Sequence, residues 1–197
     1  RGTGSSTTTQ FRSVWLAGEQ TYLPNYQSPL DYNQTHAGSV ELDYRFAVND
    51  GPEVAGVKYL ERAGLNILFS FNSGHPFTKF IGYNNNTSIP TESANTSVTP
   101  WNSEIDLRID KSFVIESFDM NAYIRVNNLL NTKNILDVFG QTGIADNDGF
   151  LNSSIGQSSA AANGSRYNEV YNALYNQNNP DFYNSPRTIV FGLKVDF

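Results

Sequence analysis

Ser103-Glu-Ile-Asp-Leu-Arg-Ile-Asp-Lys-Ser-Phe-Val-Ile115 is the stretch on which the reading of this chain turns. Ile105, Leu107, Ile109, Phe113 and Ile115 fall on one side of a period-2 repeat, and Glu104, Asp106, Arg108 and Asp110 on the other. Successive side chains of a strand point to opposite faces, so this alternation predicts a long strand with one apolar and one polar side. Four other runs repeat it. Gly38 to Val48 sets Val40, Leu42, Tyr44, Phe46 and Val48 against Ser39, Glu41, Asp43, Arg45 and Ala47. Ala63 to Asn72 sets Leu65, Ile67, Phe69 and Phe71 against Asn66, Ser70 and Asn72. Phe118 to Leu129 sets Met120, Ala122, Ile124 and Val126 against Asp119, Asn121, Tyr123, Arg125 and Asn127. Pro186 to Phe197 sets Ile189, Phe191, Leu193, Val195 and Phe197 against Thr188, Lys194 and Asp196. A weaker opening strand over Thr8 to Leu16 rests on Phe11 and Trp15, which makes six.

Composition narrows what such strands can serve. The 197 residues carry 13 Lys+Arg against 19 Asp+Glu, a net charge of -6. That balance lacks the basic footprint of a nucleic-acid binder, so no nucleic-acid partner is expected. The absence of cysteine removes disulfides, thiolate metal sites and thiol nucleophiles. The longest apolar run is Val14-Trp15-Leu16-Ala17, far short of the roughly 20 residues a spanning helix needs. A spanning strand needs only about 9–11 alternating residues, so low mean hydropathy does not exclude a barrel. The Gly/Ser/Thr-rich start after Arg1 has no apolar signal-peptide core, and the chain reads as a piece of a longer polypeptide.

Strand length and connection length point the same way. Runs of ten residues exceed the roughly 5–6 of soluble strands, and match a strand tilted near 40° across an apolar band of about 25 Å. Long connections near 17–36, 73–101 and 132–185 alternate with shorter ones at 49–62 and 116–117. Outer-membrane barrels alternate large outside loops with tight periplasmic turns in this way, which would put Asp50-Gly51-Pro52 and Glu116-Ser117 on the periplasmic side. The expected fold is therefore all-β, a transmembrane antiparallel barrel. Six strands fall below the minimum of about eight, so they would form the closing part of a larger barrel. A soluble sandwich shows the same alternation and stands as an alternative. A two-residue turn at Glu116-Ser117 would set Arg108 opposite Arg125; a four-residue turn, Glu116 to Asp119, would set Asp110 there instead. The second register is expected, because it avoids a like-charge pair.

Leu65-Asn-Ile-Leu-Phe-Ser-Phe-Asn-Ser-Gly-His-Pro-Phe77, Pro100-Trp-Asn-Ser-Glu-Ile-Asp-Leu-Arg-Ile-Asp-Lys111, Tyr123-Ile-Arg-Val-Asn-Asn-Leu-Leu-Asn-Thr-Lys133 and the closing Tyr183 to Phe197 resemble the C-terminal barrel strands of TonB-dependent receptors. The style is that of the Oar-like receptors of Bacteroidota, relatives of the SusC-type nutrient transporters. This resemblance implies a barrel of about 22 strands with an N-terminal plug. It also implies integral placement in the outer membrane, energy supplied through TonB, ExbB and ExbD, insertion by the barrel assembly machinery, and a surface lipoprotein as a further partner. The plug domain and TonB box lie outside this chain, so its strands would pair with the rest of their own barrel. The expected function is import or binding of a large ligand, a peptide or glycan, with no catalysis and no cofactor. The alternatives are a structural or adhesive barrel that displays surface loops, and a secreted carbohydrate-binding sandwich.

Particular residues carry these expectations. Glu41, Asp43, Arg45, Asp106, Arg108, Asp110 and Arg125, together with Glu104 and Asp119, belong to the polar side and would face the lumen. Ile189, Phe191, Leu193, Val195 and Phe197 match the terminal-strand signal that the assembly machinery reads in similar proteins. Tyr167, Tyr171 and Tyr175, spaced four apart with Ser165 as a candidate N-cap, would share one face of a short helix. They would bind a ligand there or pack the loop onto the barrel mouth. Asp146-Asn-Asp-Gly149 is a weak calcium candidate through Asp146 and Asp148; it misses the EF-hand spacing and reads better as an Asx/Gly turn. His36 and His75 show no metal-ligand spacing, and no other metal site is expected.

Overall fold

The computed structural model describes residues 3–4, 28–82, 88–176 and 180–196. The opening strand expected over Thr8 to Leu16 and the terminal Phe197 lie outside these residues. The chain is mostly antiparallel β and divides into two compact units. One is formed by residues 36–72, 101–134 and 184–197, the other by residues 1–35, 73–100 and 135–183.

The first of these is a five-stranded antiparallel sheet. Its strands are β1 (Ala37–Arg45), β2 (Ala63–Asn72), β3 (Asn102–Ile115), β4 (Phe118–Asn127) and β5 (Thr188–Asp196), in spatial order β5-β4-β3-β2-β1. The alternation expected from sequence sets their register, because a slip by one residue would turn every apolar side chain to the wrong face. Leu42, Ile67, Leu107, Val126 and Ile189 form one row across the sheet, and Tyr44, Leu65, Ile109, Ile124 and Phe191 the next. Asp43, Asn66, Arg108, Arg125 and Val190 form a row on the opposite face, followed by Arg45, Gly64, Asp110, Tyr123 and Gly192.

Burial in this unit does not follow the apolar side of its strands. The apolar face is open: Phe191 is 74% exposed and Val40 64%, with Leu42, Tyr44, Ile109, Ile189 and Leu193 also exposed. Asp110, on the polar face, is only 5% exposed. Among the described residues of the unit, Val126 is the one buried hydrophobic side chain.

The turn between β3 and β4 corrects the expected register. Ile115 pairs with Phe118 across a two-residue turn, so Arg108 lies directly opposite Arg125, and Asp110 opposite Tyr123. Glu116 accepts a left-handed backbone, φ 55°, to close it. The short turn keeps the Ile115–Phe118 and Val114–Asp119 pairs that a four-residue turn would give up. The feared repulsion is small because Arg108 turns aside. Its guanidinium carbon sits 4.8 Å from the Tyr123 ring centroid, and its Nε lies 3.7 Å from Asp110 Oδ1. A cation–π contact of about 0.5–1 kcal/mol exceeds a like-charge penalty of a few tenths.

The second unit holds short ladders and helices. Pro76–Phe77 pairs with Ser97–Val98, Phe80–Ile81 with Ile89–Pro90, and Thr3–Gly4 with Ser28–Pro29. Helix α1 (Ser154–Asn163), absent from the sequence reading, begins at Ser153, whose Oγ accepts the Gly156 N–H at 3.0 Å. It ends at Gly164, whose φ of 86° suits a residue without Cβ. Helix α2 (Tyr167–Tyr171) runs into a single π-turn, Asn172–Asn176. Its N-cap is Arg166 without a side-chain capping bond, rather than Ser165: the helix starts one residue later than the capping pattern suggested.

Candidate functional site

The polar face of the sheet gathers all seven residues expected to face a lumen. Their parity in the strands puts Glu41, Asp43, Arg45, Asp106, Arg108, Asp110 and Arg125 on one side. Six of them, all but Asp110, line a cleft of about 530 Å³ together with Asn66, Leu68, Leu107 and Asn127.

Arg45 organises one end. Its Nε donates to Asp43 Oδ1 at 2.9 Å, and its Nη1 reaches Asp110 Oδ2 at 3.4 Å. That reach crosses Gly64, where a Cβ would sit 3.0 Å from both Arg45 Nη1 and Asp110 Oδ1. A second glycine works the same way: a Cβ on Gly192 would collide with the Tyr123 ring, which lies across it. Tyr123 in turn carries the Arg108 guanidinium. The glycines thus let one large side chain per strand pair lie flat, which keeps the row thin and its charges close together.

The acids of the face are already engaged. Asn66 Nδ2 donates to Glu41 Oε1 at 2.7 Å and to Asp43 Oδ2 at 3.2 Å. Asp106 Oδ1 accepts the Asn128 N–H at 2.9 Å. Asp110 Oδ2 also accepts from Asn121 Nδ2 at 3.2 Å. Among the described residues, the Arg125 side chain makes no ion pair and no hydrogen bond. Arg108 Nε and Asp110 Oδ1 are buried without a hydrogen-bond partner, since 3.7 Å is too long for one.

The loop candidates lie in the other unit. Tyr171 is central: its ring stacks on Phe150 at 4.8 Å and contacts Tyr175 at 4.9 Å and Tyr167 at 6.0 Å. Its hydroxyl donates to Asp148 Oδ2 at 2.6 Å. Burial, and then this bond to the carboxylate, push the phenol well above its ordinary range. Tyr175 is 57% exposed and is the ring most open to a ligand. Asp148 is buried, its Oδ1 taken by the Phe150 N–H at 2.9 Å, whereas Asp146 is exposed. Between them Asn147 Oδ1 accepts the Gly149 N–H in an Asx turn. No group of three His, Cys, Asp or Glu among the described residues is placed to hold a metal. His36 stacks on Trp101 at 5.8 Å, while His75 pairs with Gln34 at 3.1 Å in the other unit. Glu92 is held below the usual carboxylate range, chiefly by the Lys79 N–H at 2.7 Å.

Ile189, Phe191, Leu193 and Val195 point from edge strand β5 into the open apolar face. The asparagines after β4 went unassigned in the sequence reading. Asn128, 1% exposed, accepts the Thr132 N–H at 2.8 Å and donates to the carbonyls of Thr132 and Ser185 at 2.9 and 3.2 Å. Asn134 brackets Ser103, accepting its N–H at 3.0 Å and donating to its carbonyl at 2.9 Å. Lys111 was also overlooked, although parity puts it in the apolar row between Ala63 and Ala122. Its ammonium folds onto the carbonyls of Tyr59, at 3.0 Å, and Glu61.

No protein-family model, no curated protein and no solved structure matches the chain.

Proposed function

We propose that the sheet is a section of the wall of an outer-membrane β-barrel, and that the protein is a TonB-dependent receptor of the Oar-like, SusC-related kind. One observation carries this reading: long, register-locked strands leave their apolar face uncovered and gather their charged side chains, buried Asp110 among them, on the other. In water, an open face of this size would drive association, whereas lipid is its natural solvent. A sandwich would need a second sheet over that face. The long connections near 17–36, 73–101 and 132–185 are then the outside loops, with Tyr167, Tyr171 and Tyr175 among their ligand-binding candidates. The role is binding and import of a peptide or glycan, without catalysis.

The test is site-directed spin labelling of the full-length protein in lipid vesicles. Labels at 191, 193 and 195 should be relaxed by oxygen, and a label at 194 by a water-soluble nickel chelate. Uniform nickel access along β5 would reject the wall. Ligand uptake that survives collapse of the proton-motive force would reject the receptor and favour a barrel that only displays loops.

A further inference from the structure

We propose that Arg108 and Arg125 together form a carboxylate-binding site on the polar face of the sheet. The two arginines are direct cross-strand partners, so their backbones are held about 5 Å apart. The Tyr123 contact offsets the repulsion at Arg108, but it leaves hydrogen-bonding capacity of the pair unused. Asp43 and Asp110 are engaged by Arg45, Glu41 by Asn66, and Asp106 by the Asn128 N–H. Arg108 has only the 3.7 Å approach to Asp110, without a hydrogen bond, and Arg125 has nothing among the described residues.

The surroundings are built rather than incidental. Arg108 places its guanidinium carbon 4.8 Å from the centre of the Tyr123 ring, and Tyr123 lies over Gly192, so the head group has a fixed support within the sheet. Both arginines line the same cleft of about 530 Å³ with Asn66 and Asn127; Glu41, Asp43 and Asp106 line it too, each already engaged by Asn66, Arg45 or the Asn128 N–H. A guanidinium presents paired N–H donors that match the two oxygens of a carboxylate. An anion bound by the pair would neutralise both charges and give each guanidinium a hydrogen-bond partner. Lysine at either position would supply charge but not this geometry. The carboxylate comes either from a small organic acid or from an acidic side chain of another polypeptide segment; the chemistry at the arginines is the same. The site requires only that this face be wet, so it goes beyond the receptor reading and does not stand or fall with uptake.

The test uses the full-length protein in detergent with isotopically labelled arginine, and succinate as the probe at constant ionic strength. Saturable shifts of both Nε–H signals, absent with neutral succinamide, would support a free-acid site. Arg125→Gln should abolish them, and Arg125→Lys should weaken the apparent affinity about tenfold. A second supporting outcome is a site already filled by the polypeptide. Succinate would then move nothing in the wild type, the Arg125 Nε–H would exchange slowly with solvent, and Arg125→Gln would lower the melting midpoint more than Arg125→Lys. Arg125 lies on the exposed part of the face, so both variants should fold. No titration together with exchange at the rate of free arginine overturns the proposal.

Discussion

Asn128 ties the end of β4 to the chain that returns into β5, and replacing it tests how that end of the sheet is held. The side chain makes three hydrogen bonds, to the Thr132 N–H and to the carbonyls of Thr132 and Ser185, from a position 1% exposed. Each is worth about 1 kcal/mol, and each leaves a partner unsatisfied when lost. The residue also sits at φ 51°, where asparagine is tolerated and alanine costs roughly 1 kcal/mol more. Asn128→Ala should therefore destabilise the local closure by about 4 kcal/mol, and Asn128→Gly, free of the backbone term, by about 3 kcal/mol. Asn128→Asp keeps an acceptor for the Thr132 N–H but drives a carboxylate against two carbonyls. Its folded pKa should rise, so it should be more stable at pH about 4 than at pH about 8. The assay is amide hydrogen exchange at Leu129, whose N–H donates to the Ile105 carbonyl at 2.7 Å and is not itself a partner of the Asn128 side chain. At 1.4 kcal/mol per decade, the alanine variant should lose protection on the order of a thousandfold. A loss under about fivefold, with alanine and glycine indistinguishable and aspartate insensitive to pH, would refute the assignment.

Three further outcomes follow from the same geometry. Gly192→Ala should cost about 2 kcal/mol or more by displacing the Tyr123 ring, and a second change, Tyr123→Ala, should make that substitution nearly neutral; a double-mutant cycle in denaturant reads the coupling. Ala55 occupies a left-handed position, φ 53°, before Gly56 at φ 78°, in the two-residue turn that links Val54 and Val57. Ala55→Asn should stabilise that turn by about 0.5–1 kcal/mol, measured as added exchange protection at the Val54 and Val57 amides. Tyr171 should be among the last tyrosines to ionise in an ultraviolet titration. Because its folded pKa is raised, its contribution to stability is complete below about pH 10 and is lost as pH climbs beyond that. Tyr171→Phe should flatten this alkaline loss.

The faces of the strands were legible in the sequence because alternation is a local property: Ile105, Leu107 and Ile109 need no partner to declare their side. Register was harder, since it depends on what each side chain can reach. The pair Arg108–Arg125 looked unfavourable only while Tyr123 was treated as a bystander, and its ring as an acceptor of the guanidinium was not visible in one dimension. Helix α1 was hidden for another reason. Ser154 to Asn163 has no apolar stripe, and its start depends on one Ser153 hydroxyl in an Asn/Ser-rich stretch full of equivalent candidates. The asparagine staples share that difficulty, because each closes a contact between segments distant in sequence, such as Asn128 with Ser185.

Lys111 and Trp101 bear on where an apolar band on this face would begin and end. Both have the parity of the apolar side of β3, and Trp101 stacks on Phe71 at 6.4 Å and on His36 at 5.8 Å. It is an amphipathic ring, 61% exposed, suited to an interface where one edge is apolar and the other wet. Lys111 lies ten steps further along, among small residues, with its ammonium drawn off the face onto loop carbonyls. Ten steps of about 3.3 Å make about 33 Å along the strand, or about 25 Å along the normal at a tilt near 40°. That is the height of the apolar band on outer-membrane barrels. Apolar parity continues past Lys111 through Phe113 and Ile115, so the lysine interrupts the face rather than ending it, and the wall reading rests on the uncovered apolar face itself.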